Sequence, residues 1–177
     1  MLVTTSTILT DAHQRNHNYL RISLTEKCNL RCNYCMPLEG VTLSPKVAIM
    51  TAQEVIDIAS LFVKHGVTKI RLTGGEPFVR KDFKDIIIGL QQLGVELAIT
   101  TNGILLDRHW KQLQNIGVTN ITVSLDTLKR ERFLSITHRN QFDKVIRNIK
   151  LLQNTLSIVK INVVPVSYTH LTLPTIA

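Results

Sequence analysis

All three cysteines of this 177-residue chain, Cys28, Cys32 and Cys35, fall within one short stretch reading Cys-Asn-Leu-Arg-Cys-Asn-Tyr-Cys-Met. Thiolates bind soft metals, and spacers of three and two residues let one loop wrap all three around a single centre. Three is the informative number. A structural zinc site takes four protein ligands, and each iron of a [4Fe-4S] cluster needs an outside donor, so three thiolates leave one position open. An open iron can hold a substrate. Two plainer readings use the same residues: a zinc site completed by His13 or His17, and three free thiols on a loop.

The loop must be carried by something. Tyr19 to Leu24 alternates, with Leu20, Ile22 and Leu24 on one face and Arg21 and Ser23 on the other, which predicts a strand ending just before the cysteines. Leu38 to Met50 reads as a longer loop. Thr51-Ala52-Gln53-Glu54 then forms a capping box, and apolar residues at helical spacing run on to a stop at Gly66. The unit recurs: strand Val67 to Thr73, helix Asp82 to Leu93, strand Val95 to Thr101, helix Asp107 to Ile116 and strand Val118 to Leu125. After a charged segment come a helix, Gln141 to Asn154, and a fifth strand, Ile158 to Val164.

Strands alternating with helices at this rhythm imply right-handed crossovers and a parallel sheet. A sheet covered on both faces needs strands apolar throughout. Here one face is polar instead, carrying Arg21, Ser23, Arg71, Thr73, Thr100, Thr122, Ser124, Lys160 and Asn162. The fold class is therefore α/β, a partial (βα) TIM-like barrel with helices outside and a wet interior. Arg21, Arg71 and Lys160 come from three strands onto that interior face, and burying unpaired cations is costly. They predict a phosphate-bearing ligand, with pairing to Glu76 or Asp126 as the alternative. Barrel enzymes work at the carboxyl ends of their strands, where the cysteine loop and Thr73-Gly74-Gly75-Glu76-Pro77 both fall. Two glycines leave backbone groups open to close approach by a small zwitterion.

Composition narrows the class. A hydrophobic fraction of 44% with 19% charged residues fits a globular protein with a substantial core. Twenty-one basic against 13 acidic residues give +8, which favours an anionic partner. Without a Lys/Arg run or aromatic interleaving, the charge points away from a nucleic-acid groove. No apolar run is long enough to span a bilayer and Met1 to Tyr19 is not a secretion signal, so no membrane role and a cytoplasmic location are expected.

The spacing Cys28-x3-Cys32-x2-Cys35, with Tyr34 before the third cysteine, resembles the signature of radical S-adenosylmethionine enzymes. In that superfamily three cysteines hold a [4Fe-4S] cluster whose open iron binds S-adenosylmethionine, and a Gly-Gly-Glu motif like Gly74-Gly75-Glu76 holds the cofactor's amino group. Further segments sharpen the likeness: Leu20 to Asn29, Tyr34 to Pro37, Ile70 to Pro77, Thr100-Thr101-Asn102-Gly103, Val123-Ser124-Leu125-Asp126 and Lys160 to Val164 together resemble the GTP 3′,8-cyclase family of molybdenum cofactor biosynthesis. The resemblance covers about residues 10 to 165. It implies a radical SAM core whose metal ligands are Cys28, Cys32 and Cys35, with Tyr34, Gly75 and Ser124 contacting S-adenosylmethionine and Arg21, Arg71, Thr100 and Lys160 contacting GTP. It implies hydrogen abstraction from C3′ of the GTP ribose followed by closure onto C8 of guanine. A reductant for the cluster and the next enzyme of the pathway are implied partners, and a homodimer is compatible.

The chain departs from the family at its end. The cyclases carry a second, C-terminal [4Fe-4S] cluster on three more cysteines, expected only in a full-length protein, and no cysteine lies beyond Cys35. The expected organisation is an N-terminal arm over 1–18, an incomplete barrel over 19–166 truncated after about five strands, and a non-native tail over 167–177. Two other functions use the same residues: a radical enzyme acting on a peptide or deazapurine precursor, and a zinc-stabilised basic binding module without catalysis.

Overall fold

The computed structural model describes residues 8–36, 39–154 and 159–164. Helix α1 (Ala52–Lys64) begins where Thr51 and Glu54 exchange hydrogen bonds, the Thr51 hydroxyl accepting from the Glu54 amide and the Glu54 carboxylate from the Thr51 amide. That exchange satisfies two N–H groups that a first turn leaves bare. The remaining elements are β1 (Tyr19–Ser23), β2 (Lys69–Thr73), α2 (Phe83–Gln91), β3 (Glu96–Thr101), α3 (Leu106–Asn115), β4 (Asn120–Ser124), α4 (Arg130–Thr137), α5 (Phe142–Gln153) and β5 (Val159–Asn162).

The five strands form one parallel sheet in the order β1-β2-β3-β4-β5. Each strand lies beside its predecessor in sequence, so every right-handed crossover returns its helix to the same side of the sheet. A doubly wound sheet would reverse its direction of growth partway. This one does not, and the partial TIM-like barrel expected from the strand faces is the architecture observed. The core lies between sheet and helices, where Val55 and Ala59 of α1, Ile86 and Leu90 of α2, and Trp110 and Leu113 of α3 join Ile70, Leu72, Ile99, Ile121 and Val123 in one cluster. Each large side chain buried there contributes about 1.5–3 kcal/mol. No helix among the described residues is long and apolar enough to cross a membrane.

The polar and apolar faces separate cleanly in β4, with Ile121 and Val123 buried and Thr122 and Ser124 half-buried, and in β1, where Arg21 and Ser23 are exposed and Ile22 is buried. In the middle of the sheet Ile70, Arg71 and Leu72 are all buried, whereas at the β5 edge Lys160, Ile161 and Asn162 are all exposed.

Two segments carry more structure than the sequence pattern suggested. The charged stretch after β4 contains α4, with Phe133, Ile136 and Thr137 buried at the spacing of one helical face. Within the arm, Asp11 accepts from the amides of His13 and Arg15 (2.8 and 3.0 Å), Thr10 bridges Asn16, and the Leu9 amide donates to the carbonyl of His65 beside α1. The carboxylate replaces the missing ladder bonds of a tight turn. The expected end of the barrel at 165–166 and the tail 167–177 lie outside the described residues, as does Ile158.

Candidate functional site

Beyond β1 the chain crosses the carboxyl end of β2 in direct backbone contact. The Leu24 amide donates to Thr73 O (2.9 Å), the Gly75 amide to Thr25 O (2.6 Å) and the Glu76 amide to Lys27 O (2.8 Å). A Cβ on Gly75 would stand 2.4 Å from Lys27 O, and one on Gly74, whose φ is 146°, would stand 2.6 Å from Thr25 O. Only glycine permits that approach. On its other side the cysteine loop is held by the end of α4: Arg31 and Asn33 donate from their amides to Thr137 O and Ile136 O (both 3.0 Å), the Asn33 side chain donates to Ser135 O, and His138 Nε2 meets Asn33 Oδ1.

The loop, the Gly-Gly turn and the ends of β3 and β4 enclose a cavity of about 240 Å³. Cys28, Cys32, Cys35, Tyr34, Gly75, Thr100 and Ser124 all line it, so seven of the ten expected site residues meet in one place. Arg21, Arg71 and Lys160 are not among its lining residues. Burial pushes the Cys28 thiol up and the Cys32 thiol up to about 12, the latter with help from Cys28 and Asp126. Burial, and then its hydrogen bond to Asp126, raise Tyr34. The Tyr34 hydroxyl donates to Asp126 Oδ2 (2.7 Å), and Asp126 Oδ1 accepts from the Val164 amide (2.9 Å), so one carboxylate joins the cysteine loop to the segment after β5. Among the described residues no three His, Cys, Asp or Glu side chains converge tightly enough to hold one metal ion. The thiols are spread around a space larger than a single ion, and soft donors around such a space suit a polynuclear cluster. His13 and His17, the candidate fourth zinc ligands, sit on the arm away from this cavity, His17 Nε2 lying 3.7 Å from Asp11.

The three interior cations do not share one environment. Arg21 and Lys160 are exposed, because β1 and β5 are the edges of the sheet. Arg71 is 8% exposed and, among the described residues, bonded only to neutral oxygens: Nε to the Tyr19 hydroxyl (2.5 Å), Nη1 to Thr100 and Thr122 (3.1 and 2.9 Å) and Nη2 to Asn120 Oδ1 (3.2 Å). The guanidinium charge is kept without direct contact to a carboxylate; Glu96 stands one bond further on, accepting from Asn120 and from Lys69. Burial opposes ionisation of Tyr19, but the hydrogen bonds of Arg21 and Arg71 prevail and hold its hydroxyl below the usual phenol range.

Neither carboxylate considered as a partner for these cations takes that role. Asp126 holds Tyr34, and Glu76, fully buried, accepts from the Thr101 hydroxyl (2.8 Å), the Asn102 amide (2.7 Å) and the Phe78 amide (3.2 Å). Burial pushes Glu76 up to about 7, against the pull of those three donors. Two further residues escaped sequence reasoning. Arg80 donates to Leu24 O (2.8 Å) and Met50 O (2.5 Å) and so ties the exit of β1 to the loop before α1. Asn102 lines the cavity and points its side chain at Cys28; its only sequence signal was membership of Thr100-Thr101-Asn102-Gly103.

Known proteins resemble this chain. At 52% identity over 90% of this chain and 26% of its own length, Molybdenum cofactor biosynthesis protein 1 of Homo sapiens is similar to it. GTP 3′,8-cyclase, mitochondrial, of Arabidopsis thaliana is similar at 51% identity over 81% of this chain and 37% of its own length. The chain thus spans about a quarter to a third of these curated relatives. Among solved structures, Streptococcus suis SuiB bound to S-adenosylmethionine superposes with a TM-score of 0.64 at 25% identity, over 82% of this chain and 32% of that one. The model of the Radical SAM superfamily matches residues 22–171, a span holding the end of β1, strands β2 to β5, the Gly-Gly turn and all three cysteines, and the chain belongs to that superfamily.

Proposed function

We propose that this chain is the cofactor-binding portion of a GTP 3′,8-cyclase acting in molybdenum cofactor biosynthesis, with residues 19–166 as its radical SAM core, 1–18 as an arm and 167–177 as foreign sequence. One observation carries the reading: Cys28, Cys32, Cys35, Tyr34, Gly75, Thr100 and Ser124 line a single cavity at the carboxyl end of a parallel sheet. The names of relatives about 50% identical supply the choice of substrate.

In this reading Cys28, Cys32 and Cys35 hold a [4Fe-4S] cluster, and Tyr34, Gly75 and Ser124 contact S-adenosylmethionine at its open iron. When bound, cluster and cofactor supply the one-electron chemistry that removes the C3′ hydrogen of GTP before the ring closes onto C8. The protein's own contribution is placement. Asp126 fixes Tyr34 at the cavity wall. Thr100 Oγ1 accepts from Arg71, which leaves its one O–H hydrogen to donate to a ligand. Arg71, buried among neutral oxygens, keeps an unneutralised charge below the cavity, and Arg21 and Lys160 on the two edges add theirs. A triphosphate is the anion this arrangement attracts, and Arg forks match its oxygens. A reductant, the next enzyme of the pathway and a second cluster belong to the full-length protein. Cysteines used for metal binding fit a reducing compartment such as the cytoplasm.

Equilibrium binding of GTP and ATP to the full-length protein tests the substrate. GTP bound at micromolar concentration and preferred over ATP is the expected result. Preference for neither nucleotide, with S-adenosylmethionine still bound, removes the cyclase reading and leaves a radical enzyme of other specificity.

A further inference from the structure

We propose that Asn102 is a positioning residue whose side-chain amide donates a hydrogen bond to the Cys28 sulfur and thereby raises the reduction potential of the cluster that this sulfur holds. The inference rests on the radical SAM reading and goes beyond it, since nothing in the ligand set requires a side-chain donor.

The geometry leaves the amide little choice. Asn102 is 8% exposed, with Nδ2 at 3.8 Å from Cys28 Sγ and at 2.6 Å from Asn29 Oδ1, so its two hydrogens have separate acceptors. Its Oδ1 accepts from the Ile104 amide at 3.1 Å. Flipping the side chain would turn an NH2 group toward that N–H, so the hydrogen-bond network fixes which atom faces sulfur. The backbone is held as firmly. The Asn102 amide donates to Glu76 Oε2 at 2.7 Å, and Glu76 is itself anchored by Thr101 and Phe78. The buried carboxylate of the Gly-Gly-Glu turn therefore clamps the end of β3 against the end of β2 and aims Asn102 across the gap.

Cys28 Sγ receives a second donor, the Leu30 amide at 3.4 Å, from its own loop. That one comes with the loop; the Asn102 bond is supplied from the turn that follows β3. Reduction adds negative charge to a cluster and its sulfur ligands, so an N–H aimed at a ligand sulfur stabilises the reduced state more than the oxidised one. Removing one such donor lowers the reduction equilibrium constant about tenfold, which is ~59 mV for a one-electron couple.

The test is an anaerobic redox titration, followed by electron paramagnetic resonance, of the reconstituted protein and of Asn102→Asp and Asn102→Ala. Asn102→Asp keeps the shape and the acceptor for Ile104 while losing the N–H, and Asn102→Ala removes the group without adding charge. Both are expected to shift the midpoint to more negative potential, with the larger shift in Asn102→Asp because its charge adds to the lost donor. A variant that takes up iron and sulfide as the parent does and titrates at the parent's midpoint overturns the inference and leaves the radical SAM reading standing. A parent protein that takes up no cluster overturns that reading, and the inference with it.

Discussion

At its carboxyl end β2 meets the cysteine loop backbone to backbone; at its middle it meets the neighbouring strands through the side chain of Arg71. The first contact has no room for a Cβ, with Gly75 standing where a methyl would lie 2.4 Å from Lys27 O. The second is a network of replaceable oxygens, Tyr19, Thr100, Asn120 and Thr122, around a cation. Steric closure places the cofactor loop rigidly. A charge held by neutral dipoles stays available to an anion. In the proposed reading two points along one strand thus divide the labour, one fixing where the chemistry happens and the other supplying the field that brings the substrate.

The sharpest way to break this division is Gly75→Ala, which must force the loop away from β2. An overpacking cost of about 2–3 kcal/mol is expected, lowering the melting temperature by roughly 5–10 °C and depleting bound iron. A melting temperature unchanged from the parent would show that the approach is not obligatory. Glu76, at the same end, should make stability depend on pH. Its folded-state value of about 7 lies above the ordinary 4.5, so its contribution is complete below 4.5 and is lost as pH rises through 7. The span is on the order of 2–4 kcal/mol. Urea unfolding at pH 5.5 and 8 should find the parent weaker at pH 8 and Glu76→Gln nearly level; equal slopes would mean the carboxyl does not titrate there.

At the middle of the strand, Arg71→Ala should weaken GTP binding in the full-length protein about tenfold or more while leaving iron content at the parent's level, since Arg71 does not line the cavity. Loss of both together would erase the distinction between the two contacts. The smallest effect belongs to the rim of the network. Lys69 and Glu96 are paired at 2.7 Å, but their side chains are 28% and 49% exposed, so Lys69→Gln should change stability by no more than about 0.5 kcal/mol in a denaturant titration.

Much of this was legible in the sequence because it depends on local pattern. The alternation of strands and helices gave the sheet, the capping box gave the start of α1, and cysteine spacing gave the loop. Helix α4 was not legible: eight residues with three buried positions, opening on Arg130, Glu131 and Arg132, read as a charged linker. Yet its last turn is what the cysteine loop leans on. Placing Arg21, Arg71 and Lys160 on one face was a correct reading of period, but period does not say which strand is an edge. Edge position, not strand pattern, leaves Arg21 and Lys160 exposed while Arg71 is buried. Asn102 and Arg80 act across 73 or 74 and 30 or 56 residues of sequence respectively, distances at which no local signal exists.

The most direct test of the three-thiol site is anaerobic reconstitution of this chain with iron and sulfide, followed by electron paramagnetic resonance of the reduced protein before and after adding S-adenosylmethionine. About four irons and four sulfides per chain are predicted, with a signal that changes when the cofactor occupies the open iron, and loss of that iron in Cys32→Ala. A colourless protein carrying one zinc, or a cluster signal indifferent to S-adenosylmethionine, would contradict the account.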